Sequence, residues 1–445
     1  MPETPRSSDH PTYDDVQRAL LARWPETRLE PSLDRIAALT ELLGDPQRTY
    51  EVVHLTGTNG KTSTSRMVDD LLRARGLRTG RFTSPHVETM RERISLDGEP
   101  VSEEGFVRAY SDVAAYLDVV DTQETHPLSF FETVVGMAYA AFADAPVDVA
   151  VVEVGMGGSW DATNVADGSV AVVTPIAVDH ARYLGDSAVA IAVEKAGIIK
   201  AGATAVVAGQ DDDVMAVLVE RAQEVGARLV REGVDFGVVS RVPAVGGQVV
   251  TLQGLLGRYD EVFLPLYGAH QAQNAALALA AVEALSGDQA LGEDLVREAF
   301  AGATSPGRLE IVRRGPTVLL DAAHNPHGAA AVVEAVRDSF TFDPLIGVVA
   351  MMNDKDAEGV LGELEAVLTQ VVCTRASTER SMSADELGEV ARDLFGDHRV
   401  VVHDRLDDAL EEAVTLAETG GSGGESIGSG GVLVVGSVVT VGEAR

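Results

Sequence analysis

Apolar residues in this chain fall into two patterns. Some form short unbroken runs: EVVHL (51–55), VDVAVVEVG (147–155), SVAVVTPIAV (169–178) and TAVVAG (204–209). Runs of that length without polar alternation predict strands of a parallel sheet covered on both faces. Others recur every three or four positions. Met67, Val68, Leu71 and Leu72 share one face of a helix running to about Arg75, with Gly76 as its stop. FFETVVGMAYAAFA (130–143) and AVAIAVEKAGII (188–199) predict two more helices. From 236 to 266 the pattern shortens to small strands and turns, and a helix follows at 271–285.

GATSPGRLE (302–310) puts Gly and Pro where a linker is expected. Beyond it strand and helix alternate again, through TVLLD (317–321), the helix after Pro326, LIGVVAMM (345–352), VVCTRA (371–376), SADELGEVARDLF (383–395), HRVVVHD (398–404) and GVLVVGSVV (431–439). GGSGGESIGSGG (420–431) reads as a flexible loop. The chain has 445 residues, too many for one ordinary core, so two or three domains are expected. The fold class is α/β: an N-terminal P-loop-type parallel-sheet domain over 1–304, and a smaller Rossmann-like α/β domain over 305–445.

Composition narrows the function. Net charge is −34, so a non-specific hold on nucleic acid is not expected, and an anionic substrate must meet a locally positive cleft. No apolar run approaches the ~18 residues of a membrane span. The first residues are polar, with no signal-peptide stretch, and the single Cys373 excludes an intramolecular disulfide. The expected setting is the cytoplasm, with no membrane partner.

In open α/β sheets, ligands bind beyond the carboxyl ends of strands. Four such ends carry chemistry. HLTGTNGKTSTS (54–65) joins a strand to a helix through a glycine loop, as a phosphate-binding loop must, although Leu55 stands where the common pattern has its first glycine. Backbone N–H groups of Gly57, Thr58, Asn59, Gly60, Lys61 and Thr62 can cradle phosphate oxygens. Lys61 then reaches the β- and γ-phosphates, and the Thr62 hydroxyl faces a metal. Glu153 ends a buried strand; it is either a hard ligand for Mg²⁺ or one half of a structural ion pair. Asp179-His180 follows the third strand, and His180 is either a hydrogen-bonded structural group or a ligand. Asp321 ends TVLLD and can hold a ribose hydroxyl, while Asn325-Pro326 starts a helix.

Together these residues carry a resemblance. TGTNGKTS, TSPHVETMRERI (83–94), EVGMGG and DATN (153–164), the DH and LG of 179–185, and EKAGI (194–198) occur in one order, followed by GAHQAQNAALAL (268–279), PGRLE (306–310), DAAHNPH (321–327) and GSVVTVGEAR (436–445). The chain resembles the folylpolyglutamate synthase/dihydrofolate synthase family of the Mur ligase superfamily, from about residue 33 onward. The resemblance implies an ATP-dependent amide ligase that phosphorylates a carboxylate of dihydropteroate or a folate and passes the acyl group to L-glutamate. It implies Mg²⁺, two ions, with a monovalent cation beside them. Gly57 to Thr62 would hold the ATP phosphates, Asn274 the adenine, Arg308 the phosphates again, and Asp321 and His324 the nucleotide from the second domain. Ser84, Glu153 and His180 would ligate Mg²⁺. Lys61, Lys195 and His180 would be the catalytic set, Lys195 as a carbamylated lysine; the residues alone read it as an ordinary surface lysine. Asp34, Arg35, Ile36, Ser129, Phe130, Phe131, Glu132, Trp160, Asp161 and Ala162 would bind the pteroate, although Ile36 and Phe131 also read as core. Closure about 303–307 would complete the site, in a monomer.

Two residues depart from the family's pattern: Ser159 stands where Arg is frequent, and Ala322 where Gly is common. A peptidoglycan Mur ligase is the nearest rival reading, but such enzymes carry a whole domain before the loop, and 56 residues precede Gly57 here. A non-catalytic nucleotide-binding regulator would not need Glu153, His180 and Lys195 around one loop. The DRI and SFFETV segments favour activity on both dihydropteroate and folates.

Overall fold

The structure is a computed structural model that describes residues 11–25, 30–287, 289–419 and 429–445. Most of the glycine-rich 420–431 stretch, and the first ten residues, lie outside the described set.

The first sheet has eight strands: β1 Glu51–Thr56, β2 Thr79–Phe82, β3 Ile94–Leu96, β4 Glu99–Pro100, β5 Val149–Glu153, β6 Val170–Val173, β7 Thr204–Val207 and β8 Arg228–Arg231. Their order is β4-β3-β2-β5-β1-β6-β7-β8. From β2 to β8 the pairs are parallel, while β3 and β4 add an antiparallel edge. β1, β5, β6 and β7 are almost wholly buried on both faces, as their unbroken apolar runs require. One face is covered by the helix Lys61–Ala74 through Met67, Val68, Leu71 and Leu72, and by the helix Ala269–Leu285. The latter is buried nearly all round. It lies between this sheet and a three-stranded antiparallel sheet of β9 Gly237–Ala244, β10 Gly247–Gln253 and β11 Arg258–Leu264. Its many alanines leave room for both neighbours. Helices Tyr13–Leu21, Asp34–Leu42, Glu103–Gln123 and Phe130–Asp144 share the core on the opposite face.

The second large sheet comprises β12 Glu310–Arg314, β13 Thr317–Asp321, β14 Leu345–Val349, β15 Gln370–Cys373, β16 Val400–Val402 and β17 Gly431–Val435, in the order β12-β13-β17-β14-β15-β16. Only β12 is antiparallel to its neighbour. Helices pack on both faces, giving two cores and a doubly wound unit. No helix among the described residues is long and apolar enough to cross a membrane.

Two apolar runs end as strands earlier than their sequence suggests. The run 169–178 leaves the sheet after Val173. Its remainder becomes a wall for the glycine loop instead: Pro175 O accepts the N–H of Thr58 at 2.9 Å, and Thr58 Oγ1 donates to Ala177 O at 2.9 Å. The run 345–352 leaves the ladder after Val349, although Ala350 to Met352 stay buried. The segment 188–199 is α-helix only to Lys195 and then tightens to a 3₁₀ turn, Ala196–Ile198.

Candidate active site at the strand ends

Strand order explains why distant residues meet. β1 lies between β5 and β6, so the loop after Thr56, the carboxylate of Glu153 and the Asp179-His180 turn emerge side by side. The loop lies flush against its walls. A Cβ on Gly57 (φ 141°) would stand 1.9 Å from Thr174 Oγ1, and one on Gly60 (φ 91°) would stand 2.6 Å from Asn274 Oδ1. Both positions therefore need glycine twice over, for backbone conformation and for space. The helix Lys61–Ala74 then starts with its first N–H groups open to an anion.

Two lysines converge on one carbonyl. Lys61 Nζ donates to Gly57 O at 3.0 Å and to Thr58 O at 3.3 Å; Lys195 Nζ donates to Gly57 O at 2.8 Å. Lys195 is 4% exposed, so the reading of it as a surface lysine does not describe its place. Burial, reinforced by the neighbouring Lys61 charge, pushes Lys195 down to about 7. Burial also lowers Lys61, against the opposing pull of Glu153 and Asp179.

Glu153 is 1% exposed. Its Oε1 accepts the Thr62 hydroxyl at 2.9 Å, while its Oε2 has no hydrogen-bond partner. Burial raises its pKa, with Lys61 and Thr62 opposing. An orphaned buried carboxylate oxygen beside a hydroxyl, at the edge of a phosphate loop, is a hard-oxygen donor set that fits Mg²⁺. Ser84 follows β2, next to β5, and His180 follows β6. His180 has a left-handed backbone (φ 52°), and burial with the Lys355 charge pushes its imidazole down to about 4. Among the described residues no three His, Cys, Asp or Glu side chains form a metal-binding group.

The second sheet reaches these strand ends through His324, which the resemblance assigns to the nucleotide, and through Asn325, His327 and Lys355, to which the motif reading gave no site role. Asn59 and Asn325 exchange amide hydrogen bonds at 3.2 and 3.1 Å, and Asn59 Nδ2 lies 3.0 Å from His327 Nδ1. Asn325 also caps the helix Pro326–Ser339, accepting from Gly328 N at 2.8 Å. Asp179 meets the Lys355 ammonium, His324 Nε2 at 3.2 Å and Asn325 Nδ2 at 3.2 Å. Burial opposes its ionisation, yet His324, His180 and Lys355 hold the Asp179 carboxyl far below the usual range. The strand-end rule, applied to the NDKDA segment after LIGVVAMM, was the available signal for Lys355. Lys355 and Asp179 are both largely buried. Removing one partner of such a pair costs roughly 3–5 kcal/mol. Lys355→Met should therefore lower the thermal midpoint, and Asp179→Asn in the same chain should recover part of the loss. Additive losses in a calorimetric double-mutant cycle would show that the pair does not couple.

The other nucleotide-side positions are placed as follows. Asn274 is buried against the loop and donates to Gln271 Oε1 at 3.1 Å. Asp321 is buried beneath the linker, its oxygens accepting Leu309 N and Ala323 N at 2.8 Å each. Its carboxylate thus shapes the turn that carries Arg308, whose Nη1 donates to Gly307 O at 3.0 Å. Ser305, in the same linker, is within 2.9 Å of Ser63 on the loop helix.

A cleft opens beside these strand ends, with Ser84 and Gly155 on its wall. Arg35, Ser129, Phe131, Glu132, Trp160, Asp161 and Ala162 all line it. Arg35 Nε pairs with Glu132 Oε1 at 2.9 Å, and Glu132 Oε2 takes the Ser129 N–H at 2.7 Å. Asp161 is buried and shapes its turn by accepting Met156 N and Thr163 N. Three expected positions do not line the cleft. Ile36 and Phe130 face the core on the inner sides of their helices, and Asp34 pairs with the Ser32 hydroxyl. Phe131, which also reads as core, faces the cleft. Ser159 lies outside it, bound through N and Oγ to Glu194 O at 3.0 Å each. Trp24 and His126 line the cleft without any motif to announce them.

Residues 55–282 match the Mur ligase middle domain, and residues 307–438 match the Mur ligase glutamate ligase domain. The chain is 47% identical over 450 residues to the dihydrofolate synthase/folylpolyglutamate synthase of Mycobacterium tuberculosis, covering 97% of this chain and 92% of that protein. It is 32% identical over 361 residues to the Escherichia coli enzyme of the same name, covering 81% of each. Its fold superposes on the M. tuberculosis folylpolyglutamate synthase complexed with ADP and AMPPCP, with a TM-score of 0.92 and coverage of 97% and 96%. For E. coli FolC in complex with DHPP and ADP the TM-score is 0.85 at 29% identity, with coverage of 99% and 98%. On motif order, fold and these similarities, the chain belongs to the folylpolyglutamate synthase/dihydrofolate synthase family of the Mur ligase superfamily.

Proposed function

We propose that the protein uses ATP to join L-glutamate both to dihydropteroate and to folates. The observation that carries this reading is the junction of two sites. The cleft lined by the pteroate-type segments reaches Ser84 and Gly155, two residues beyond Glu153 and beside the phosphate loop.

A carboxylate is a poor electrophile at neutral pH. Transfer of the ATP γ-phosphoryl group to it gives an acyl phosphate and ADP. The neutral amine of glutamate then attacks the acyl carbon, the amide forms, and inorganic phosphate leaves with the C–O bond electrons. Gly57 to Thr62 hold the phosphates, Lys61 offsets their charge, and Asn274, Arg308, Asp321 and His324 complete the nucleotide site from both sides. Thr62, Ser84, Glu153 and His180 are the residues that would hold Mg²⁺. The ion would supply charge neutralisation between two anions that must approach. Lys195, buried and lowered toward 7, has the chemistry to take up CO₂ as a carbamate. The division falls at 304/305, so that closure about 303–307 brings Arg308 onto the nucleotide. A monomer, a second Mg²⁺, a monovalent cation and a cytoplasmic setting belong to the same reading.

The test is glutamate-dependent ADP release with dihydropteroate and with tetrahydrofolate, side by side. Both should support release. An unchanged ADP rate without glutamate and pteroate would sink the ligase reading. Silence on dihydropteroate alone would leave only chain extension, and turnover of a UDP-muramoyl substrate would move the protein to the peptidoglycan branch.

A further inference from the structure

Aromatic residues are scarce in this chain, and it has only two tryptophans. Both, Trp24 and Trp160, line the cleft beside the phosphate loop. Trp24 precedes the segment that matches the Mur middle domain, which begins at residue 55. It is nevertheless tied firmly to the cleft. Phe130 N donates to Trp24 O at 2.9 Å, forming an isolated parallel bridge between Trp24 and Ser129. The preceding Arg23 reaches Leu128 O at 3.1 Å and Asp121 at 2.6 Å, and Asp121 in turn takes Leu128 N at 2.7 Å.

His126 stands edge-on to the Trp24 indole, with centroids 4.7 Å apart and planes at 73°. Elsewhere in the cleft Phe131 is fixed by an edge-to-face contact with Phe82 at 5.8 Å. It also lies so close to Gly155 that a Cβ there would come within 2.4 Å of its ring. The aromatic surfaces are thus held before any ligand arrives, which removes much of the ordering cost of binding. Trp24 and His126 are only half-buried, whereas aromatics with a purely structural role go into the core, as Phe82 and Phe142 do.

We propose that Trp24 and His126 form the aromatic wall that binds the fused heteroaromatic ring of the pteroate substrate. The inference rests on the reading of this cleft as the pteroate site, and it assigns the ring to a wall shared by Trp24, which precedes the segment matching the Mur middle domain, and His126, which lies within it. Stacking of a base-like ring on an indole is insensitive to ring substituents. The Arg35–Glu132 pair and Ser129 add polar groups in the same cleft for the ring's amide and amine edge.

Because no other tryptophan exists, emission excited to the red of the eight tyrosines reports on this cleft alone. In Trp160→Phe, Trp24 is the sole tryptophan emitter, and dihydropteroate should quench it saturably. In kinetic assays Trp24→Ala should raise the KM for dihydropteroate roughly tenfold or more, with the KM for ATP and the thermal midpoint unchanged. Trp24→Phe should restore most of the loss, and His126→Ala should shift the same KM by less. A parallel rise in the KM for ATP, or an unquenched Trp24 at dihydropteroate concentrations that saturate turnover, would overturn the assignment while leaving the ligase reading intact. If the unaltered protein releases no ADP with glutamate and either dihydropteroate or tetrahydrofolate, the ligase reading fails and takes this one with it.

Discussion

Exchanging Glu153 for glutamine should lower glutamate-dependent ADP release by roughly 10²- to 10³-fold, and should make the fold more stable. The two effects share one cause. The carboxylate is buried at a strand end with Oε2 unpartnered, so the empty protein carries the cost of desolvating a charge. Glutamine keeps an acceptor for the Thr62 hydroxyl and discards the charge. A gain of about 1 kcal/mol would raise the midpoint by about 1–2 °C. The pH dependence carries the same sign. The folded pKa of Glu153 lies above its ordinary 4.5, so its contribution is destabilising above the folded value. That penalty fades as pH falls through the folded pKa and is gone below about 4.5. The Glu153→Gln chain should lack this component, so the stability gap between the two proteins should close on acidification. Calorimetry across pH checks it. A variant less stable than the parent at neutral pH would show that Glu153 is held by an ion pair rather than left open for a cation.

The same physics decides how much of the site was legible beforehand. Strands buried on both faces leave continuous apolar runs, so β1, β5, β6 and β7 and the residues at their ends could be found without coordinates. What pairs with a strand end could not. The segment 174–178 has the composition of a strand, yet the carbonyls of Pro175 and Ala177 go to Thr58 and Asn59, because the glycine loop needs a wall there. Ile36 and Phe131 both read as core; a helix has a face for each outcome, and only packing sends Ile36 inward and Phe131 to the cleft. Asp179 and Lys355 are 176 residues apart, and no local pattern connects them. Trp24 is set in place by backbone bonds to Phe130, which leave no trace in side-chain periodicity. Asp321 shows the complementary case. Its position at a strand end was plain, but its oxygens are taken by Leu309 and Ala323 N–H groups, so its first effect is on the turn that holds Arg308.

Lys195→Ala should lose activity by roughly 10²-fold or more, and small carboxylates such as acetate, or bicarbonate, should restore part of it. The amine is buried, faces the Gly57 carbonyl at 2.8 Å, and is pushed down to about 7 by burial and the nearby Lys61 charge. A sizeable neutral fraction therefore exists near neutrality, and only the neutral amine attacks CO₂. The ammonium first gives up one proton. The nitrogen lone pair then forms the N–C bond as a C=O π pair of CO₂ moves onto oxygen. A second proton leaves the nitrogen, and a cation has become an anion. That reversal matters where two lysines already crowd one loop carbonyl. Because the proton must leave first, stimulation of the unaltered enzyme by bicarbonate at constant CO₂ should grow as pH rises through about 7. ¹³C-bicarbonate should give a carbamate signal that is absent from Lys195→Ala. A lysine that merely donates to Gly57 O predicts a different outcome: loss of activity through loop disorder, no ¹³C signal, and no rescue by acetate. Full activity in the alanine variant would remove Lys195 from the chemistry altogether.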